Sequence, residues 1–303
     1  MPLSKRSILI TGCSPGGVGH ALALEFASHN LRVFATARSL GSLSSLKEKG
    51  IETFELDVIN SESIIALRDE ITNRTGGKLD MLFNNAGTMY EAPAIEADST
   101  RVRGMFETNV FGLFEMVSAF APLLLASSAS TSTTRNPPVI INTSSILSRL
   151  PFPFSAAYNA SKAAVATYSD TLRIELEPLG IKVVTLFMGT VATHLMSPDN
   201  ISFRADGFYF DALEEAKRRS RDIAKISMNA EEFAKQVVQQ VLVKSPGRAQ
   251  GEYLWKGTNA WPIWFLNTVG WRKIFDPIVK KPVGLDKEEL RNAIFRKAQS
   301  LSD

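Results

Sequence analysis

Cysteine is nearly missing from this 303-residue chain, which holds only Cys13. That excludes an internal disulfide framework and a cysteine-rich zinc site, and it leads us to expect a reduced, intracellular protein. Histidine is almost as scarce, and His20, His29 and His194 show no metal-ligand spacing, so no metal site is expected. Neither sign of charge dominates. Lys and Arg number 34 against 31 Asp and Glu, and the net +3 is too small to suggest nucleic acid as a partner. No uncharged apolar run reaches the ~20 residues of a spanning helix. Ile8-Leu9-Ile10 follows Lys5-Arg6 too closely for a signal peptide and leads into a glycine-rich turn, not a cleavage site. The length allows one or two domains and a core large enough to need no staple.

What the chain does contain is alternation. Short apolar runs at 7–11, 31–36, 52–56, 79–83, 139–143 and 182–187 read as strands. Helix-period stretches lie between and after them at 18–29, 61–74, 102–125 and 156–177. Strands alternating with helices predict an α/β fold, a doubly wound parallel sheet of Rossmann type with helices on both faces. Residues 126–138, ASSASTSTTRNPP, are small, polar and closed by two prolines, so they read as a surface loop. We expect residues 1–250 to form one dinucleotide-binding catalytic domain and 251–303 to extend that same domain.

The run Thr11-Gly12-Cys13-Ser14-Pro15-Gly16-Gly17-Val18-Gly19 joins the first strand to the first helix. Glycines there permit a tight turn and a close backbone approach to a pyrophosphate at the positive end of the helix. Gly12, Ser14, Gly17, Val18 and Gly19 are therefore candidate cofactor contacts. The second strand ends Ala35-Thr36-Ala37-Arg38. An arginine there suits a 2′-phosphate, hence NADP(H) over NAD, unless it is simply a solvated surface residue. Asp57 and Val58, after the third strand, are placed to meet the adenine; alternatively Asp57 caps the next helix.

Tyr158 and Lys162 stand four apart in a helical stretch and so share a face, as many unremarkable pairs do. A phenol with a pKa near ~10 is a poor base at neutral pH, and a neighbouring ammonium lowers that value. Ser145 lies thirteen residues upstream of Tyr158, with Ser144 beside it as the alternative if the strand register slips. Asn84-Asn85-Ala86-Gly87 follows the fourth strand, and Asn109 sits in Thr108-Asn109-Val110-Phe111-Gly112. From about Ser7 to Thr193, these motifs in this order resemble the short-chain dehydrogenase/reductase family. Within it the chain resembles a branch of NADPH-dependent 1-acyldihydroxyacetone-phosphate reductases of lipid droplets and endoplasmic reticulum.

The resemblance implies roles at matching positions. Tyr158 exchanges a proton with the substrate oxygen and Ser145 orients that oxygen. Lys162 lowers the tyrosine pKa and binds the nicotinamide ribose, and Asn109 holds a relay water. Asn85, Ala86 and Gly87 line the adenosine side, while Val191 and Thr193 contact the carboxamide. Two departures stand out. The glycine turn has one residue more between Gly12 and Gly17 than the family's usual three. Met188-Gly189 replaces the usual Pro-Gly after the sixth strand, which predicts a looser loop.

The resemblance also makes residues 194–229 a substrate lid. There Phe203, Phe208, Tyr209 and Phe210 precede Arg218, Arg219, Arg221 and Lys225, which suits an apolar substrate with an anionic head or, equally, a solvated amphipathic helix. The tail differs from the body. From Lys244 onward there are 11 basic and six acidic residues, and all four tryptophans fall between Trp255 and Trp271. This segment is expected either to lie on an endoplasmic-reticulum or lipid-droplet surface from the cytosolic side, or to pack on protein, including a second subunit. The functional expectation is reduction of an apolar small-molecule ketone such as acyl-dihydroxyacetone phosphate. The alternatives are a steroid-like or secondary-metabolite ketone, or a non-catalytic dinucleotide sensor.

Overall fold

The computed structural model describes residues 5–130, 137–242 and 253–299. Its sheet contains β1 (Ser7–Ile10), β2 (Arg32–Ala37), β3 (Glu52–Glu55), β4 (Met81–Asn84), β5 (Val139–Ser145), β6 (Lys182–Met188) and β7 (Tyr253–Lys256). The strand order is β3-β2-β1-β4-β5-β6-β7, and all neighbours run parallel. The doubly wound expectation holds, and the six expected strands fall within two residues of their anticipated ends. The seventh was not anticipated, because YLWK is short and stands in an aromatic stretch that reads as surface.

The helices are α1 (Val18–Ser28), α2 (Ser44–Glu48), α3 (Ser61–Thr75), α4 (Ser99–Phe106), α5 (Gly112–Ser130), α6 (Ala156–Leu176), α7 (Leu213–Ile226), α8 (Ala230–Leu242), α9 (Ala260–Val269), α10 (Asp276–Lys280) and α11 (Glu288–Gln299). Side chains of a strand alternate between faces, so β1 feeds two cores. Ile8 and Ile10 pack with Leu22 and Phe26 of α1 and Phe233 of α8. Leu9 packs with Leu67 of α3, Phe120 of α5 and Val165 of α6. Each fully buried side chain of this size contributes ~1.5–3 kcal/mol, so both faces need their helices.

Along the α4–α5 run the stretch anticipated as one helix is one continuous helical run that passes through a π turn at Glu107–Phe111. The anticipated loop at 126–138 begins too early: α5 continues to Ser130, since alanine and serine can sustain a helix when tertiary contacts hold it. Here Ser127 donates to Asp80 Oδ1 at 2.8 Å and Ser128 to the Leu179 carbonyl at 3.1 Å. Residues 131–136 lie outside the described residues. Ser99–Ala129 is long and apolar enough by composition to cross a membrane, but 50% of its most apolar window is buried in the fold.

The tail completes the sheet instead of hanging from it. Trp255 of β7 stacks on Phe187 of β6 with ring centroids 4.2 Å apart. Ala260 and Ile263 of α9 pack on Ile146 and Leu150, in the loop that follows β5. The sheet winds outward in both directions from β1 and β4, and the crevice at their carboxyl ends is where such folds bind ligands.

Candidate active site

A cleft of about 420 Å³ opens at that crevice. Gly12, Ser14, Gly17 and Val18 line its β1 end, with Arg38, Asp57 and Val58 beside them. Asn85, Ala86 and Gly87 line the middle, and Tyr158, Lys162 and Thr193 the far end. The extra residue of the glycine turn is absorbed where the Gly17 N–H donates to the Ser14 carbonyl at 3.2 Å, with Gly12 and Gly16 at positive φ of 74° and 70°. Gly19 does not line the cleft. A Cβ there would fall 2.3 Å from the Gly12 carbonyl oxygen, so its role is to let α1 approach the turn. No side chain caps the amino end of α1, which leaves leading N–H groups and the positive end of the helix dipole for an anion. The turn is tied to the Asn-Asn-Ala-Gly run through Thr11, whose Oγ1 accepts from the N–H groups of Asn85 and Ala86, each at 3.0 Å. Sequence reasoning did not single out Thr11, because threonine at a strand end carries no distinctive signal.

Arg38 is exposed at the end of β2, against the cleft. Asp57 is not the helix cap: Asn60 caps α3 by accepting from the Ser63 N–H at 3.0 Å, while Asp57 Oδ1 accepts from the Ile59 N–H at 3.2 Å.

At the far end, β5 presents adjacent serines to opposite sides. Ser144 Oγ donates to the Lys162 carbonyl at 2.8 Å, whereas Ser145 Oγ accepts from the Leu147 N–H at 3.1 Å on the other side and acts on the Tyr158 phenol. The register therefore favours Ser145. Tyr158 and Lys162 are 3% and 4% exposed on one face of α6. Burial pushes the phenol up to about 12, opposed by the Ser145 hydrogen bond and reinforced by the Glu91 charge. Burial also pushes the Lys162 ammonium down to about 8. Desolvation thus outweighs the other influences on the phenol. Lys162 Nζ donates to the Thr143 carbonyl at 2.9 Å and stands 5.9 Å from the Tyr158 ring centroid, so desolvation dominates.

Asn109 points inward because it sits in the π turn, where an inserted residue redirects the side chain. Its Oδ1 accepts from the Thr88 N–H at 2.8 Å, and its Nδ2 donates to the Thr88 carbonyl at 2.9 Å and to Ser161 Oγ at 3.1 Å. Gly87 separates it from the lysine. A Cβ on Gly87 would stand 3.2 Å from Asn109 Oδ1 and 3.5 Å from Lys162 Nζ.

The loop after β6 is held firmly despite lacking the proline, which corrects the expectation of a looser segment. The Gly189 N–H donates to the Lys256 carbonyl at 2.7 Å, and Thr190 and Thr258 exchange backbone hydrogen bonds at 3.0 and 3.2 Å. Val191 turns into the core at 3% exposure, and among the cleft-lining residues Thr193 represents this loop. His194, passed over because no metal spacing flagged it, also lines the cleft, its Nε2 2.9 Å from where a Gly16 Cβ would stand.

The lid cations are mostly spoken for. Arg219 is buried against Glu91, Arg218 pairs with Glu215, and Lys225 pairs with Asp222 at 2.9 Å. Phe203 and Tyr209 pack on Phe154 with centroids 4.8 and 5.7 Å away, so they form the lid's own core.

Comparison with known proteins agrees with this geometry. The short chain dehydrogenase family model matches residues 6–202. The chain is 36% identical over 298 residues, 98% of each protein, to short-chain dehydrogenase srdE of Neurospora crassa. It is 40% identical over 194 residues to the NADPH-dependent 1-acyldihydroxyacetone phosphate reductase of Schizosaccharomyces pombe, covering 64% of this chain and 62% of that one. A crystal structure of a short-chain dehydrogenase from Streptomyces avermitilis matches with a TM-score of 0.73 at 25% identity, covering 94% of this chain and 99% of the other. The chain belongs to the short-chain dehydrogenase/reductase family and is an oxidoreductase that uses a nicotinamide dinucleotide.

Proposed function

We propose that the protein is an NADPH-dependent carbonyl reductase that converts an apolar ketone to a secondary alcohol. The carrying observation is that buried Tyr158 and Lys162 line one end of a cleft whose other end holds the glycine turn and Arg38, with buried Ser145 at the end of β5 beside the phenol. The residues present suit the cofactor. The glycine turn leaves room for a pyrophosphate at the uncapped end of α1, and Thr143 Oγ1, in a cleft-lining residue, is buried with no hydrogen-bond partner among the described residues. Gly12, Ser14, Gly17 and Val18 would hold the pyrophosphate, Arg38 the 2′-phosphate, and Asp57, Val58, Asn85, Ala86 and Gly87 the adenosine side. NADPH supplies the hydride. Because its pKa lies at about 12, Tyr158 is fully protonated at neutral pH and serves as the acid that donates to the substrate oxygen. Ser145 hydrogen-bonds and orients that oxygen, and Lys162 holds the nicotinamide ribose. Asn109 braces Thr88 and Ser161 around the lysine.

The named activity of the yeast relative supports acyl-dihydroxyacetone phosphate as one substrate. A second reading, a different apolar ketone of steroid-like or secondary-metabolite type, is favoured by two observations. That relative matches over only 64% of the chain. The ion-paired lid also leaves fewer cations for a phosphate head. We further propose that the exposed aromatic face of α9 rests on an anionic membrane or lipid-droplet surface. Trp255 is excluded from that role by its place in the sheet. A screen of NADPH oxidation across ketones, acyl-dihydroxyacetone phosphate included, tests the reductase reading. Tyr158→Phe should fold, bind cofactor and lose ~10²–10⁴ in rate. No ketone turnover, or most turnover retained in the variant, would sink it.

A further inference from the structure

The loop after β4 and the lid helix α7 lie far apart in the chain, yet Glu91 and Arg219 join them where solvent hardly reaches. Each side chain is 5% exposed, and Arg219 Nη2 donates to Glu91 Oε2 at 2.6 Å. The same carboxylate oxygen accepts from Ser155 Oγ at 3.1 Å. Ser155 immediately precedes α6, the helix that carries Tyr158 and Lys162. The backbone follows the same route. The Glu91 N–H donates to the Asn200 carbonyl at 2.9 Å, and the Ser202 N–H donates to the Glu91 carbonyl at 3.0 Å. Glu91 is thus a hub for three pieces: the loop after β4, the head of the catalytic helix, and the lid.

Burying two charges is a poor way to gain stability, because desolvation offsets their attraction and an apolar pair would pack as well. A directional pair supplies register instead. The guanidinium makes one bond to the carboxylate and stands 5.0 Å from the Phe152 ring centroid, while its Nε is buried without a partner among the described residues. This is a single-pronged attachment, weaker than a bidentate fork and so able to release.

We propose that Glu91 and Arg219 form a positioning latch that seats residues 200–226, the middle of the 194–229 lid, on the head of α6 and so sets the substrate side of the cleft. The proposal rests on the reductase reading only for what the lid covers; the latch stands or falls separately.

The test is hydrogen exchange by mass spectrometry on the full chain saturated with NADPH. The forms compared are wild type, Arg219→Lys and the double variant Glu91→Leu/Arg219→Met, which removes both charges and leaves none buried alone. In the double variant, exchange across 200–226 should accelerate about tenfold while α1 and α3 stay at the wild-type rate. NADPH affinity should stay within about twofold, and Arg219→Lys should keep most of the protection. With hexadecanoyl-dihydroxyacetone phosphate as probe, KM should rise about fivefold, a larger change than in kcat. No turnover of that probe by wild type would count against the proposed substrate and leave exchange to judge the latch. Lid exchange equal to wild type in the double variant overturns the proposal, as does equal loss of protection throughout the molecule. Should the double variant fail to fold, Ser155→Ala and Arg219→Gln report on the same lid exchange, and no acceleration in either overturns the proposal.

Discussion

Alanine replacement of Ser144 and of Ser145, one at a time, separates support from chemistry within a single strand. The two hydroxyls are 0% and 5% exposed and leave opposite faces of β5. Ser144 Oγ makes a 2.8 Å bond to the Lys162 carbonyl, which lies inside α6 and also serves the helix ladder, so Ser144→Ala leaves that carbonyl paired. The loss is then one neutral hydrogen bond, ~0.5–1.5 kcal/mol. At ~2–4 °C per kcal/mol for a large domain, Tm should fall by a few degrees with kcat nearly unchanged. Ser145 accepts from the Leu147 N–H at 3.1 Å, so its loss also costs about 1 kcal/mol of stability. Its distinguishing effect is on rate. Removing a hydroxyl aimed at the reacting oxygen should lower kcat by ~10²–10³. Thermal melts and NADPH oxidation with the fastest ketone of the screen measure both quantities. A larger kcat loss in Ser144→Ala than in Ser145→Ala would refute the assignment of the two faces.

Three further outcomes follow from the site and the tail. Arg38→Asp should shift the kcat/KM ratio toward NADH by at least about tenfold, since a charge-assisted bond to phosphate is worth ~1.5–3 kcal/mol; a wild-type preference for NADH would show the strand end misread. Lys162 has a folded-state pKa of about 8 against the ordinary lysine value of 10.5, so between these the folded form binds fewer protons and stability rises with pH. The gain is at most about 3 kcal/mol. Denaturant melts on either side of that window should show it in wild type and not in Lys162→Met, and a wild-type curve falling relative to the variant would contradict the burial argument. Finally, Trp261 and Trp264 are 65% and 40% exposed on α9, and Phe265 is 45% exposed. Flotation with anionic liposomes should weaken in Trp261→Ala/Trp264→Ala/Phe265→Ala and in salt, which shortens the electrostatic reach to ~8 Å at physiological ionic strength. Equal partitioning of variant and wild type would point to a protein partner on that face.

The alternation of strands and helices was legible because each element's period is written in consecutive residues. So were the glycine turn and the Tyr158/Lys162 pair, since a turn and a four-residue spacing are local facts. Even the choice between Ser144 and Ser145 reduced to one parity question. The remaining features join residues that are distant in sequence. Glu91 meets Arg219 across the lid, Gly189 is held by Lys256, and Asn109 turns inward only because two helices meet in a π turn. Trp255 and Trp261 show the limit most plainly. They stand six residues apart in one aromatic stretch, yet one stacks inside the sheet on Phe187 and the other faces solvent. Composition measures how much a side chain gains by leaving water, whereas the partner that lets it do so is supplied by the packing of the whole chain.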